Sequence, residues 1–279
     1  MKKVLTLALA STMLLTMAAC GGSSGSSSAA SSSSLTASSE PTEAPNVTTL
    51  PQFSTVEQGK LHMSTNAAFP PYEMLADDGS FEGIDVEVAG KIAEMLHLEL
   101  VVDDMDFDAA LLAAQNGQSD IVMAGVTVTE ERQQVMNFSD SYATGIQSII
   151  VKEGSPIQSV DDLATAAMIG TQRGTTGYIY CSDDFGEDHV TAYTTGATAV
   201  QALVNDQVDC VVIDNMPAKE YVQSNPGLKI LDTEYVEEHY AIGMSKDNPE
   251  LLEAINIVMK MLQEDGTIQG IVDTYITTG

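Results

Sequence analysis

Positive charge is scarce in this sequence. Eleven lysines and arginines stand against forty aspartates and glutamates, a formal charge of −29 over 279 residues. Nucleic-acid binding needs a basic footprint, so this balance argues against it. Only two of the cations are arginines, Arg132 and Arg173. Tryptophan is absent and aromatics make up 5% of the chain, so an aromatic side chain in a candidate binding loop carries weight. Cysteine occurs three times, at Cys20, Cys181 and Cys210. The spacing of the last two demands no disulfide, and they read as small buried side chains, although export would permit a bond. The four histidines are scattered without metal-ligand spacing, so neither a metal nor a cofactor is expected. Long hydrophobic runs are missing after Met17. The one before it, Val4 to Met17, reaches about 21 Å as a helix, short of a bilayer core of roughly 30 Å.

That short run has the features of a secretory signal. Lys2 and Lys3 precede it, and Ala18 and Ala19 lead into Cys20, Gly21 and Gly22. A cysteine directly after small residues at a cleavage point resembles the lipobox of bacterial lipoproteins, with Met17 standing where leucine is usual. The resemblance implies removal of residues 1–19, a diacylglyceryl thioether on Cys20, and anchoring to the outer face of a bacterial, Gram-positive cell membrane. Residues 20–55 continue as Gly, Ser, Ala and Thr with scattered proline. Such a stretch has too little apolar surface to offset its ordering entropy and is expected to be a solvated leash.

From residue 60 onward short apolar strands alternate with amphipathic helices. Leu61 and Met63 alternate with polar neighbours, and Ile84, Val88, Ile92 and Met95 recur at helical spacing. Leu98 to Val102 reads as a strand, Phe107 to Gln115 as a helix stopped by Asn116-Gly117, and Ile121 to Val126 as a strand buried on both faces. The pattern repeats: strands at 146–151, 168–172 and 210–213, a helix at 197–205, and a helix opened by Asn248-Pro249-Glu250. Strands joined by helices predict an α/β fold with mainly parallel sheets and functional loops at strand C-termini.

Five segments lie at those ends: TNAAFPPYE from Thr65, GIDVE from Gly83, DIVMAGVTVTEER from Asp120 to Arg132, GTQRGTTG from Gly170, and VDCVVID from Val208 to Asp214. Taken in this order and spacing they resemble the polar amino-acid-binding proteins of bacterial ABC importers. The resemblance implies a two-lobed, periplasmic-binding-protein-like α/β fold of type II with two hinge crossovers. One lobe would be 56–142 plus 240–279 and the other 147–236. The partners implied are a small L-amino acid and importer permease subunits, with the protein itself a monomer.

An amino acid presents a carboxylate, an ammonium and a side chain. Arg132 is the candidate for the carboxylate, since a guanidinium offers two parallel donors. The loop from Ala124 to Thr129 and the turn at Thr175 and Thr176, which should open a helix, would add backbone donors. Asp214, with the carbonyl of Gly125 and the hydroxyl of Thr127, is the candidate for the ammonium. Phe69 and Phe107 match the family's aromatic walls. Asn66 stands where several members carry aspartate, and Gln172, near the opposite wall, could hydrogen-bond a polar side chain, so a neutral polar ligand of the glutamine kind is expected ahead of a basic one, and a basic ahead of an acidic one. Arg173 should point away. Some dehydratases and ligand-sensing receptors resemble the same scaffold. The matched loops hold no histidine or lysine placed for general acid–base work, and no nucleophile–base arrangement, so an enzyme is not expected.

Overall fold

The structure, a computed structural model, describes residues 50–165 and 168–276. Cys20 and the expected signal and leash therefore lie outside the described residues, apart from the last few leash positions. In the first half of the chain come β1 (Lys60–Thr65), the short strands β2 (Ala68–Phe69), β3 (Glu73–Leu75) and β4 (Phe81–Glu82), and α1 (Ile84–Met95). They are followed by β5 (Glu99–Asp104), α2 (Phe107–Gln115), β6 (Ile121–Val122), α3 (Glu130–Val135) and β7 (Met136–Phe138). The middle of the chain gives β8 (Ala143–Lys152), β9 (Ile169–Gln172), α4 (Thr176–Phe185), β10 (Val190–Tyr193) and α5 (Gly196–Val204). It continues with β11 (Cys210–Asp214), α6 (Asn215–Ser224), β12 (Leu228–Ile230) and β13 (Val236–Tyr240). The chain then returns through β14 (Gly243–Ser245) to α7 (Pro249–Glu264) and α8 (Thr267–Tyr275).

These elements form two lobes, each around its own sheet. The first sheet has the order β5-β1-β6-β14-β7, and the second β10-β9-β11-β8-β12, with β13 also paired to β8. The chain passes between sheets twice, from β7 into β8 and from β13 into β14. Parallel pairing holds where strands are joined by helices, as in β1 with β5 and β6, and β9 with β10 and β11. The strands next to the passages run antiparallel: β8 with β11, β12 and β13, and β14 with β6 and β7. The sheets are thus less parallel than the helix–strand alternation suggested, because a strand arriving from the other lobe needs no helical crossover.

Burial explains where each element lies. Helix α7 lays Leu251, Ile255, Val258 and Leu262 on the first sheet, and its start is capped by the Asn248 side chain accepting from the Leu251 N–H. With α1 and α8 it encloses a core containing Leu61, Met63, Ile84, Ile92 and Ile121. Helix α2 covers the opposite face over Val122, Val126 and Met136. The second sheet is covered on both faces, by Ile149, Val151, Leu163 and Cys181 on one side and Ile150, Val200, Leu203 and Val211 on the other. Cys181 and Cys210 are free thiols buried in the same cluster.

The expected strand 121–126 is paired only over Ile121–Val122, although Met123, Ala124 and Val126 stay buried. Gly125 adopts φ +55°, which turns the chain out of the sheet direction. A Cβ there would stand 2.7 Å from Cε1 of Phe69. The apolar run thus makes a strand that ends early and a buried loop that faces the other lobe.

Candidate functional site

Between the lobes, where β1, β6, β9 and β11 end, lies a cleft with about 470 Å³ of space between atoms, solvent at its open side included. The structure brings Asn66, Phe69, Phe107, Ala124, Gly125, Thr127, Arg132, Gln172, Thr175, Thr176 and Asp214 around this one space. Arg173, next to Gln172, is exposed.

Arg132 reaches the cavity from α3, whose first turn is capped by Thr129 Oγ1 accepting from the Arg132 N–H. The side chain is buried, with Cζ 5.6 Å from the centre of the Phe107 ring. One terminal nitrogen donates to the Thr127 carbonyl at 2.7 Å, the other to the Gly174 carbonyl of the second lobe at 3.1 Å. Burial lowers its pKa, and the negative charge of Glu238 opposes that shift. Five N–H donors leave capacity for an anion beyond the two carbonyls.

Asp214 ends β11, a strand of buried residues. Its Oδ1 accepts from the Met216 N–H at 2.9 Å and so caps α6. Its Oδ2 accepts from the Ile146 N–H at 3.0 Å and the Tyr240 hydroxyl at 2.8 Å. The cap role and a place on the cavity wall therefore coexist. Burial pushes its pKa up to about 6, held from rising further by these three donors. At neutral pH the group is an anion with an unmet demand for positive charge.

Beside Asp214 the cavity borders a pair of carboxyls, Glu73 in its lining and Asp85 behind it. Asp85, fully buried, accepts at Oδ2 from the Gly125 N–H at 2.9 Å and the Tyr142 hydroxyl at 2.7 Å. The Gly125 N–H is thus committed to Asp85 and is not among the donors that the 124–129 loop can offer a carboxylate in the cleft. Its carbonyl is not affected. With both groups ionised, neither oxygen of Glu73 nor Oδ1 of Asp85 would have a hydrogen-bond partner. Burial, then the charge of Asp85, raises the Glu73 pKa well above the carboxylate range, and burial raises that of Asp85 to about 6. Glu73 keeping its proton and donating it to Asp85 accounts for one Glu73 oxygen and Asp85 Oδ1 together, since two like charges side by side in the interior would be costly.

At the far wall the two lobes meet directly. Gln172 Nε2 donates to Asn66 Oδ1 at 2.9 Å and to the Thr194 carbonyl at 3.3 Å, while Asn66 Nδ2 donates to the Met105 carbonyl at 2.9 Å. The Tyr221 hydroxyl donates to the Ala68 carbonyl at 2.9 Å, and Thr127 and Thr176 hydroxyls lie 3.5 Å apart. Hydrogen bonds therefore span the cleft at several points, and this conformation is a closed one. Thr175 caps α4 by accepting from the Tyr178 N–H, which aims that helix's N-terminus at the cavity.

Sequence reasoning did not single out Glu73, Gln147, Glu238 and Tyr240, which also line the cavity. Glu73 lay inside a quoted motif but had no feature to separate it from a surface glutamate. Glu238 accepts from Gln147 Nε2 at 2.9 Å, and both belong to the paired strands β8 and β13. A strand reaching the cleft from the passage between lobes shows no motif of its own.

Opposed basic and acidic groups on facing walls, with aromatic rings between, present complementary surfaces to a small zwitterion. A family model described as bacterial extracellular solute-binding proteins, family 3, matches residues 61–278. A probable histidine-binding protein of Neisseria gonorrhoeae is 30% identical over 223 residues, covering 78% of this chain and 83% of that relative. An arginine-binding extracellular protein of Bacillus subtilis (strain 168) is 31% identical over 228 residues, covering 78% and 86%. Among solved structures, an ancestral arginine-binding protein bound to arginine matches with a TM-score of 0.74 and 37% identity, covering 78% of this chain and 99% of that one.

Proposed function

The chain belongs to the bacterial extracellular solute-binding proteins, family 3, and on that footing we propose that it captures a polar L-amino acid between its lobes and passes it to the permease of an ABC importer. The observation that carries this reading is the placement of Arg132 and Asp214 on opposite walls of one cavity. Arg132 takes the α-carboxylate, helped by the N-terminus of α4 at Thr175 and Thr176. Asp214 takes the ammonium, with the Gly125 carbonyl and Thr127 hydroxyl as further acceptors, and Phe69 and Phe107 flank the side chain. The lobes would be 56–142 plus 240–279 and 147–236.

The charge of the cavity bears on the side chain. Arg132 faces Asp214 and Glu238, with Glu73 protonated, so the wall is anionic before and after a zwitterion is seated. Asn66 has both polar ends engaged, and Gln172 has spent its amide donor on Asn66 and Thr194, leaving an acceptor. A side chain rich in donors suits this wall. We therefore place basic amino acids first, neutral amides second and acidic ones last, which exchanges the first two ranks of the sequence-based order. Thermal-shift screening against the twenty L-amino acids tests the reading. A ligand at a hundredfold excess over its Kd adds about 2.7 kcal/mol to stability. The largest rise is expected with L-arginine, L-lysine or L-histidine, and no rise with any of the twenty would refute the function.

The protein is read as a monomer carried on the outer membrane leaflet by lipid on Cys20, at the end of the 20–55 leash. Cys20→Ala is expected to release it into the medium with its binding intact, and unchanged membrane association would refute the anchor.

A further inference from the structure

Both strands that carry the chain between lobes converge on one oxygen of Asp214. Ile146, in β8 beside its start, donates its N–H to Oδ2 at 3.0 Å, and Tyr240, the last residue of β13, donates its hydroxyl to the same atom at 2.8 Å. Tyr240 is held from every side. It is 1% exposed, its ring meets that of Tyr72 edge-to-face with centroids 5.4 Å apart, and its backbone pairs with Ala143 and bridges to Thr127. In the paired strand, opposite Glu238 and two residues on from Ala143, stands Gly145, with no positive φ and no turn to explain a glycine. The explanation is space. A Cβ at Gly145 would lie 2.3 Å from the Tyr240 hydroxyl oxygen and 2.7 Å from Asp214 Oδ2. The glycine leaves room for this hydrogen bond and for nothing larger.

We propose that Tyr240, with Gly145 clearing its path, is a positioning residue that fixes the Asp214 carboxylate for its cationic partner and ties it to the two inter-lobe strands. The inference rests on the assignment of Asp214 to the ligand's ammonium and deepens it. An ammonium is recognised best by a carboxylate whose orientation is already set, because the ordering cost is then met before binding. With Oδ1 committed to the cap of α6 and Oδ2 to Ile146 and Tyr240, the carboxylate plane is fixed by donors from three elements. The phenol also works against the burial of Asp214 by stabilising the anion. The charged and titratable groups around Asp214 are Glu238 on β13, Tyr240 itself, and Tyr72 and Glu73, which interact with it from the first lobe. Among these, Tyr240 is the one that donates a hydrogen bond to Asp214.

The test is calorimetric titration of the full chain with L-arginine, L-histidine and L-glutamine between pH 5 and 8. Binding requires ionised Asp214, so wild-type affinity should fall as the pH drops through about 6. Tyr240→Phe keeps the ring against Tyr72 and removes only the donor. Its acid midpoint should move to higher pH, and its affinity at pH 8 should drop about tenfold, the size of one hydrogen bond to a charged group. Gly145→Ala should lose at least as much. A purely structural role for Tyr240 would lower melting temperature, or affinity equally at every pH, without moving the midpoint. An unmoved midpoint with undiminished affinity in Tyr240→Phe, while Asp214→Asn loses binding, would overturn the positioning role alone. Full affinity in Asp214→Asn, or no binding of any of the three by the wild type, would overturn the assignment beneath it.

Discussion

Arg132 is poised by two backbone carbonyls, one from each lobe, and by a ring beneath it. Carbonyl oxygens satisfy part of a guanidinium without neutralising it, so the charge remains available to a carboxylate entering the closed cleft. Removing it would strand that carboxylate in a dry site, a cost of several kcal/mol. Arg132→Ala is therefore expected to weaken amino-acid binding by at least a hundredfold in calorimetry. Arg173→Ala, which changes an exposed side chain one residue from the pocket, should stay within about threefold of wild type. Equal losses from the two would place the carboxylate elsewhere. The contrast also marks how residue roles were legible in the sequence. Arginine is so scarce here that its occurrence inside a motif loop had weight, whereas Glu73 and Glu238 are two among forty acidic residues. Nothing in their neighbours separates them from solvated ones; only burial in the folded chain does.

The elements that build the cleft were legible wherever a periodicity ran its full length. Helix α1 follows its apolar spacing, and α7 starts at the Asn-Pro-Glu signal. The signal failed where an apolar run changes its use partway, as in 121–126, whose hydrophobicity is the same before and after the strand ends. The glycine at 125 is what alters the path, since its φ of +55° is open to few other residues. Two independent penalties therefore await Gly125→Ala: the left-handed backbone and the 2.7 Å approach of a Cβ to Phe69. Together they should cost roughly 1–3 kcal/mol in urea unfolding and displace the N–H that Asp85 accepts, weakening amino-acid binding as well. Wild-type stability and affinity in this variant would show that the loop tolerates another path. The antiparallel strands next to the inter-lobe passages were likewise hidden. Sequence gives the order of strands along the chain, and their direction in a sheet depends on which lobe the chain has just left.

At the scale of the molecule, two passages of chain restrict the lobes to opening and closing about one axis. The closed form is held by bonds from Gln172 to Asn66, Tyr221 to Ala68, and Arg132 to Gly174. Net hydrogen bonds of this kind contribute about 1 kcal/mol each and must work against the hydration regained by an opened, acidic cleft. An amino acid gripped by Arg132 from one side and Asp214 from the other adds differential affinity for the closed form alone, and so shifts the population toward it. The α-carboxylate and ammonium are separated by a single carbon, and in the proposed arrangement each draws partners from both lobes, with the two charged groups, Arg132 and Asp214, on different ones. Small-angle X-ray scattering, with and without the amino acid that stabilises the protein most, tests this grip most directly. The radius of gyration should fall at saturation in the wild type and stay at its unliganded value in Asp214→Asn at the same concentration. A wild-type radius that does not change at saturation, or an Asp214→Asn variant that compacts as fully as the wild type, would contradict the two-lobe grip.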